Sequence, residues 1–438
     1  MAPRTVLICP EPLRGLPQGL GIRFLAMAQE LQRHGEVRLW TLNADLPQDL
    51  PCPAEPLPHE PSALAQGLSR ATAVVLHGGV SRRYFALLRR ARLRGAPPVV
   101  VDLCDPFFIE HFNYAALDPS LYWRDRFVLT QQLSLGDFFL VACQEQWLFY
   151  AGLLAGTGRL TPALYQRDPT LGELMQVAGF GVDPNFVLQG PGRLKGQVPG
   201  IGVDDVVLFF GGVYDWYDPL PLLAALGQLL ASEPRLKLVF VRVPQGGDTT
   251  PQTALAKLEA AAAATGWLGE RVVVIPWFPY AQRGAFYRDI DLAVVLHRPS
   301  LETALSFRIR LLDYLNAGVA VLTTRGGAAA ALVERAGLGT VADNDPATWA
   351  RALSHWLADR SALGAAAQRA QAYVRRHHRW QDALAPLVAF CQAPKVHPLK
   401  TRPPSTLYYR LRQGYSAMAH QGPKAALARA WRHWRRAP

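Results

Sequence analysis

The segment from Leu292 to Gly327 constrains the fold more than any other stretch of the chain. An apolar run, LAVVL (292–296), is followed by the polar stretch HRPSLET, a helical pattern, Gly318, a second apolar run, VAVLTT, and the pair Gly326-Gly327. Strand, loop, helix, strand, loop is the repeating unit of a parallel sheet covered by helices. Ligands of such sheets sit beyond the carboxyl ends of the strands and against helix N-termini. At that edge the sequence supplies Glu302, Ser306, Arg308 and Arg310. The arginine fork suits phosphate oxygens. Ser306, Arg310 and Asp313 follow i, i+4, i+7 spacing and share one expected helical face, while Phe307, Leu311 and Leu315 share another. A solvated first turn above a core helix satisfies the same pattern, so the spacing alone leaves both readings open.

The same alternation runs along the 438 residues, which is room for two domains. TVLIC, EVRLWT, TAVVLH, PPVVVDLC and DFFLVAC read as strands of a first doubly wound sheet. VVLFFGG, LKLVFVRV, RVVVIPW and DLAVVLH read as strands of a second. His77 and the pair Asp102 and Asp105 stand at neighbouring strand tips, where such a sheet places its site. Asp105 before Pro106 also fits a helix cap. The Gly211-Gly212 turn lets backbone N–H groups approach a ligand. Arg242 stands at the next tip. Asp289-Ile290-Asp291 joins a helix to a buried strand and reads as a turn rather than a metal site. The aromatic run from Phe107 to Trp123 reads as core before acceptor groove.

Five scattered cysteines argue for a reducing compartment and against a disulfide frame or zinc site. No apolar run reaches the length of a membrane span. Net charge is +12, and after Asp382 there is no acidic residue among ten Lys and Arg. A basic end of this kind seeks an anionic surface. Residues 395–438, with Trp431 and Trp434 among arginines, therefore read as an interfacial membrane anchor rather than a disordered or RNA-binding tail. The opening loop, with Gly15, Pro17, Gly19 and Gly21, lacks a full dinucleotide fingerprint because Phe24 takes its last position, which argues against a dehydrogenase.

Several of these segments together resemble retaining, family-four glycosyltransferases of the GT-B fold. LLDYLNAGVAVLTT matches the second half of that family's donor-site pattern, with Asp313 where its second Glu stands and Gly318 as its Gly. The first Glu falls at Leu305, and Glu302 is one turn earlier. GLGIRFLAMAQELQRHGEVRLWT is similar to the family's opening loop, helix and strand, DLCDPFFIE to a strand-tip element of its bacterial O-antigen and cell-surface polysaccharide branch, and VAGFGVDPNF to the end of its first domain. WFPYAQRGAFYRDID resembles the stretch that begins beside the donor base, and the usual Lys after the second-domain glycines is missing.

The resemblance implies an α/β chain of two Rossmann-like doubly wound domains with the active site in the cleft between them. Expected boundaries are an acceptor domain over 1–186, a linker over 187–204, a donor domain over 205–375, a crossover helix over 376–392 and a basic tail over 393–438. It implies sugar transfer from a nucleotide-sugar co-substrate to a glycan or lipid-linked acceptor, without cofactor, metal or specific nucleic acid. The expected location is the cytoplasm, at the inner face of the plasma membrane. Asp105, Glu302 and His77 are the implied catalytic groups. Gly211, Gly212, Arg242, Phe278, Tyr280, Ser306, Phe307, Arg308, Asp313, Gly326 and Gly327 are the implied donor contacts, and Gly19, Gly21, Arg23 and Asp102 line the acceptor side. The alternatives are a non-catalytic GT-B protein that binds nucleotide sugar or glycan, and a nucleotide-sugar 2-epimerase.

Overall fold

The computed structural model describes residues 3–13, 19–47, 49–92, 95–114, 118–243, 253–398, 400–402, 405–416, 418–419 and 422. Gly15 and Pro17 of the opening loop and the tryptophan-bearing end of the tail, 423–438, lie outside them. The chain divides into two compact units, residues 1–179 with 383–438 and residues 180–382.

The first unit is built on a seven-stranded sheet in the order β3-β2-β1-β4-β5-β6-β7. Its strands are β1 (Arg4–Ile8), β2 (Glu36–Thr41), β3 (Ala54–Pro56), β4 (Ala73–Leu76), β5 (Val99–Asp102), β6 (Phe138–Val141) and β7 (Met175–Val177), every pair parallel. β4, β5 and β6 are buried along their whole length. Helices cover both faces of such a sheet, which is why these strands read as continuous apolar runs rather than alternating ones.

Residues 383–416 complete this unit. Phe390 stacks on Phe138 with centroids 4.7 Å apart. The buried Asp137 carboxylate accepts hydrogen bonds from the backbone N–H of Val99 (2.8 Å) and His397 (2.8 Å) and from Lys400 Nζ (3.0 Å). Residues 406–416 are helical, and Tyr409 enters the core beside Phe127.

The second unit holds a six-stranded parallel sheet in the order β10-β9-β8-β11-β12-β13. The strands are β8 (Val206–Gly212), β9 (Leu236–Arg242), β10 (Val272–Pro276), β11 (Leu292–Val295), β12 (Val321–Thr324) and β13 (Thr340–Ala342). Its register slips between Phe209 and Gly211, where β8 carries a bulge.

Residues 187–204, expected as a linker, pack within this unit. The backbone N–H groups of Leu194 and Lys195 donate to Asp289 at 2.7 and 3.1 Å, and Lys195 Nζ pairs with Asp291 at 2.7 Å. Asp289-Ile290-Asp291 is thus a turn whose carboxylates are occupied. The single crossover helix expected over 376–392 is three pieces, Arg360–His377, Trp380–Ala383 and Ala385–Gln392. Pro386 lies at the start of the last piece, and its missing N–H and fixed φ begin a helix but do not continue one.

Among the described residues no helix is long and apolar enough to cross a membrane. All five cysteines are buried and free.

Candidate functional site

Both sheets have the same spatial order over six strands once each is counted from its own first strand, and the first adds β7 at its edge. In each, the order reverses between two central strands, β1 and β4 in one and β8 and β11 in the other. At such a switch point the connections diverge and leave a crevice beyond the strands' carboxyl ends. The loops after β8 and β11 therefore frame the candidate site of the second unit.

The helical pattern after β11 is broken. One short helix spans Leu301–Leu305, Ser306 is extended, and a second helix runs Ile309–Asn316. The expectation that Ser306, Arg310 and Asp313 share one helical face is therefore corrected. Ser306 lies in the break, and the break lets Arg308 turn back onto Glu302.

The first helix is capped by Ser300, which accepts from the Thr303 N–H at 3.0 Å. Glu302, buried at 3% exposure, gathers the neighbouring donors. Arg308 Nη2 donates to both of its oxygens at 2.8 and 2.6 Å, and Ser306 Oγ donates at 2.7 Å.

Arg310 turns the other way. Its Nη1 donates to the carbonyl oxygens of Phe210 (3.1 Å) and Gly212 (2.7 Å), bracing the bulged end of β8. Gly211 has φ +82°, and a Cβ there would meet Tyr314 Oη at 2.7 Å. Only glycine fits that close approach. The Tyr217 ring lies 4.6 Å from the Arg310 guanidinium and 5.4 Å from that of Arg308, with Trp216 beyond it.

His297, at the tip of β11, stacks near Tyr217 and is hydrogen-bonded to the Thr324 hydroxyl. Burial, then the charges of Arg308 and Arg310, hold its pKa well below the ordinary 6.5. The imidazole is neutral, and the local charge belongs to two guanidiniums and one carboxylate.

Asp313 accepts from the Tyr280 hydroxyl at 3.1 Å and lies 3.5 Å from Arg283. Burial raises its pKa despite both partners. Arg283 sits between the rings of Tyr280 (3.7 Å) and Phe186 (4.3 Å). After β12, Gly326 and Gly327 open the helix Gly327–Ala336. A Cβ on Gly327 would lie 2.5 Å from the Thr303 carbonyl oxygen, so the glycine keeps that helix end close to the first short helix.

Three expected donor contacts stand apart from this cluster. Arg242 is at the carboxyl end of β9 but is exposed and paired with Glu259. Phe278 stacks on Phe286 at 3.8 Å, and Phe307 on Phe180 at 5.5 Å. Both rings are engaged in packing. Conversely, the spacing argument gave no role to Tyr217, Trp216, His297 or Arg283. Tyr217 and Trp216 stand within five residues of Gly212 and His297 at a strand tip, which is the signal that could have found them.

The first unit carries its own cluster at the equivalent edge. His77, after β4, bonds through Nε2 to Asp105 Oδ1 at 2.7 Å. Its Nδ1 is buried without a hydrogen-bond partner among the described residues. Burial pushes the imidazolium pKa down, but the Asp105 carboxylate outweighs it and the net shift is upward. For Asp105, burial raises the pKa, but the facing His77 charge and hydrogen bond outweigh it and the net shift is downward. Tyr150 Oη fixes this loop by donating to the Asp105 carbonyl oxygen at 3.0 Å.

Arg23 and Asp102 behave differently from the expectation that they line an acceptor surface. Both are wholly buried, and Arg23 Nε and Nη2 fork onto the two oxygens of Asp102 at 2.7 and 2.9 Å. Arg23 also donates to the carbonyl oxygens of Ala178 and Gly179, each at 2.7 Å. This is a structural clamp that ties the helix Gly19–Gln32, begun by Gly19 and Gly21, to the end of β5. Phe107 and Tyr114 of the aromatic run are buried, whereas Phe112 is half exposed.

Residues 204–359, inside the second unit, match the family model described as glycosyl transferases group 1. No curated protein matches the sequence. Among solved structures, the chain is similar to Anabaena HepE in complex with UDP and glucose, at 16% identity and a TM-score of 0.63, over 90% of this chain and 100% of that one. It is similar to sucrose-phosphate synthase from Thermosynechococcus elongatus at 14% identity and 0.61, over 89% and 98%. It is also similar to WaaG, a glycosyltransferase involved in lipopolysaccharide biosynthesis, at 17% and 0.56, over 89% and 100%. At these identities the likeness carries the fold. The chain has the GT-B fold of two Rossmann-like units, and the second matches the glycosyl transferases group 1 model over residues 204–359.

Proposed function

We propose that this protein is a retaining glycosyltransferase, close to the family-four enzymes of bacterial polysaccharide and O-antigen assembly. It moves a sugar from a nucleoside diphosphate donor to a glycan or lipid-linked acceptor at the cytoplasmic face of the cell envelope, without a resident cofactor. The observation that carries this reading is the Glu302–Arg308–Ser306 group, set beside the braced Gly211-Gly212 turn, at the switch point of the unit that matches the family model.

In transfer, the bond from the anomeric carbon to the β-phosphate oxygen breaks with its electron pair moving to phosphate. The acceptor oxygen bonds to that carbon on the same face, and its proton passes to the departing phosphate. The group that has to be stabilised is the diphosphate. Arg308 is the cation available for it, because its partner is an exchangeable carboxylate, whereas Arg310 is committed to two backbone carbonyls. On donor binding the diphosphate displaces Glu302 from Arg308, and the freed carboxylate turns to the sugar hydroxyls. Gly326, Gly327 and the helix behind them present further N–H donors. Asp313 and Tyr280 hold the ribose and base side. His77 with Asp105 orients sugar or acceptor.

HepE was solved with UDP and with UDP-glucose, so uridine donors are tested first, in a thermal-shift series with UDP-, GDP-, dTDP- and CDP-sugars. Arg308→Ala is expected to weaken donor binding by about 1.5–3 kcal/mol, the loss of a charged hydrogen bond, measured by calorimetry. Unchanged affinity would remove Arg308 from the site and with it this reading.

One observation favours the non-catalytic alternative. The position where the family keeps its first Glu is Leu305, a buried apolar side chain. Donor turnover in the presence of acceptor extracts, against binding without turnover, separates the two.

A further inference from the structure

The helix over residues 406–416 is turned inside out. In a helix packed on a protein the apolar stripe faces the core and the polar face meets water. Here the inward side is carried by Tyr409 and Ser416, while Leu407, Leu411, Tyr415 and, just beyond the helix's last turn, Met418 are 67%, 65%, 66% and 50% exposed. Tyr408 adds 46%. Of the sixteen large hydrophobic side chains exposed among the described residues, these five lie within twelve positions. At 3.6 residues per turn, Leu407, Leu411, Tyr415 and Met418 cover an arc of only about 80°, so they form one ridge. An isolated exposed leucine needs no explanation, but a continuous apolar ridge marks an interaction surface.

The charges around the ridge identify its occupant. Arg410 and Arg412 each lie about 60° outside that arc, one on either side. Arg412 stacks over Trp123 (5.3 Å) and Tyr408 (5.5 Å), and Arg126 over Trp123 (5.6 Å). Arg410 and Arg124 each lie close enough to Arg82 to repel its charge, and burial and that repulsion lower the Arg82 pKa. Arg124 is paired with Asp125 (2.9 Å), and no acidic residue follows Asp382 in the chain to offset Arg410 and Arg412. An apolar crest flanked by arginines and aromatic rings on a helix fixed parallel to the surface matches the headgroup boundary of an anionic bilayer. There the crest enters the acyl region and the guanidiniums meet phosphate.

We propose that the Leu407–Leu411–Tyr415–Met418 ridge, with Arg410 and Arg412 beside it, docks the first unit onto an anionic membrane surface. Tyr409, packed against Phe127 (5.2 Å) and Trp123 (6.3 Å), is the pin that fixes the helix in that orientation. This differs from an anchor formed by the tryptophan-rich end of the tail, because the contact is made by a folded, preoriented face. It also stands apart from the transfer reaction: the chain would dock whether or not it transfers sugar.

The test is flotation of the full chain with vesicles of phosphatidylcholine alone and of phosphatidylcholine with 30% phosphatidylglycerol (about 0.15 M salt). Binding to the anionic vesicles only is expected. Leu411→Glu with Tyr415→Glu replaces exposed side chains, so Tm should be unchanged, while the bound fraction should fall by about tenfold or more, since carboxylates oppose both insertion and headgroup charge. A chain ending at residue 422 should keep most of its binding. Equal binding by the double variant, or loss of binding on removing 423–438 alone, would overturn the proposal in favour of the tail. A dimer of the wild-type chain without lipid that the double variant converts to monomer would overturn it in favour of a second copy. Retained donor binding by the double variant would show that a failure here leaves the proposed function standing.

Discussion

The pentapeptide Ala-Val-Val-Leu-His occurs twice, at 73–77 and at 293–297, each time running along the later-numbered of the two switch-point strands. The two histidines have opposite electrostatics. His77 faces Asp105 and its pKa is raised; His297 faces Arg308 and Arg310 and its pKa is well depressed. Identical local sequence, the same strand position and similar burial leave the proton undecided. The loops after β5 and β11 decide it, and they differ. The first unit's tip is therefore a place where a proton can reside near neutrality, while the second's imidazole stays neutral beside two guanidiniums.

The largest effect that would break this contrast lies in the second unit. Glu302→Ala removes the carboxylate paired with the buried Arg308 and should cost about 3–5 kcal/mol of stability, read from denaturant unfolding. Glu302→Gln keeps the shape and removes the charge competing for Arg308. It should tighten nucleoside diphosphate binding while lowering turnover, whereas weaker nucleotide binding would contradict the exchange of Arg308 between carboxylate and phosphate.

The next effect concerns the first histidine. Asp105→Asn removes the carboxylate that holds the His77 proton and should bring its pKa below 6.5, where burial alone puts it, followed by NMR of the imidazole. The cost should be about 1.5–3 kcal/mol, that of a charged hydrogen bond.

The pH dependence has opposite signs in the two places. His77 titrates above 6.5 in the folded chain, so its contribution is complete below pH ~6.5 and is lost as pH rises through the raised value. Asp105 titrates below its ordinary value of about 3.9, so its contribution holds above that pH and is lost as pH falls through the lowered value. His297 titrates well below 6.5, so the unfolded chain takes up its proton first and stability falls as pH drops from ~6.5. The differences in Tm between wild type and His77→Gln, and between wild type and His297→Gln, should therefore slope in opposite directions across pH 5–8. Parallel slopes would erase the comparison.

The smallest effects distinguish two strand-tip glycines, Gly327 after β12 and Gly79 two residues past His77. Gly327→Ala, with positive φ and a Cβ against the Thr303 carbonyl, should cost about 1–3 kcal/mol. Gly79→Ala, with φ −61° and nothing within 4 Å, should stay within about 0.5 kcal/mol.

The two doubly wound sheets were legible because parallel strands buried on both faces leave long apolar runs, and AVVLH, VVVDLC and VVLFFGG are such runs. Glu302 and Arg308 were legible as charges at a strand's carboxyl end. Their pairing was not, because it depends on the helix stopping at Leu305, and no proline or glycine marks that stop. Arg23 shows the converse. The resemblance implied that it lines the acceptor side, but Asp102, 79 residues away, draws it wholly inside. The inverted helix over 406–416 was hidden by its composition, since Leu, Tyr and Arg at helical spacing look alike whichever side faces the core.

The ends of the second unit lie together: Val182 bridges Arg379, and a Cβ on Gly181 would touch the Trp380 backbone. In the order of synthesis this unit is an insertion within the first, which opens before it and closes only with residues 383–416. A ribosome making the chain therefore releases a finished second unit while the first still lacks Phe390, His397 and Tyr409. The half begun first is the last to be completed. A stop just after Asp382 leaves a folded second unit tethered to a first unit whose sheet lacks the packing of Phe390 on Phe138 and of Tyr409 on Phe127.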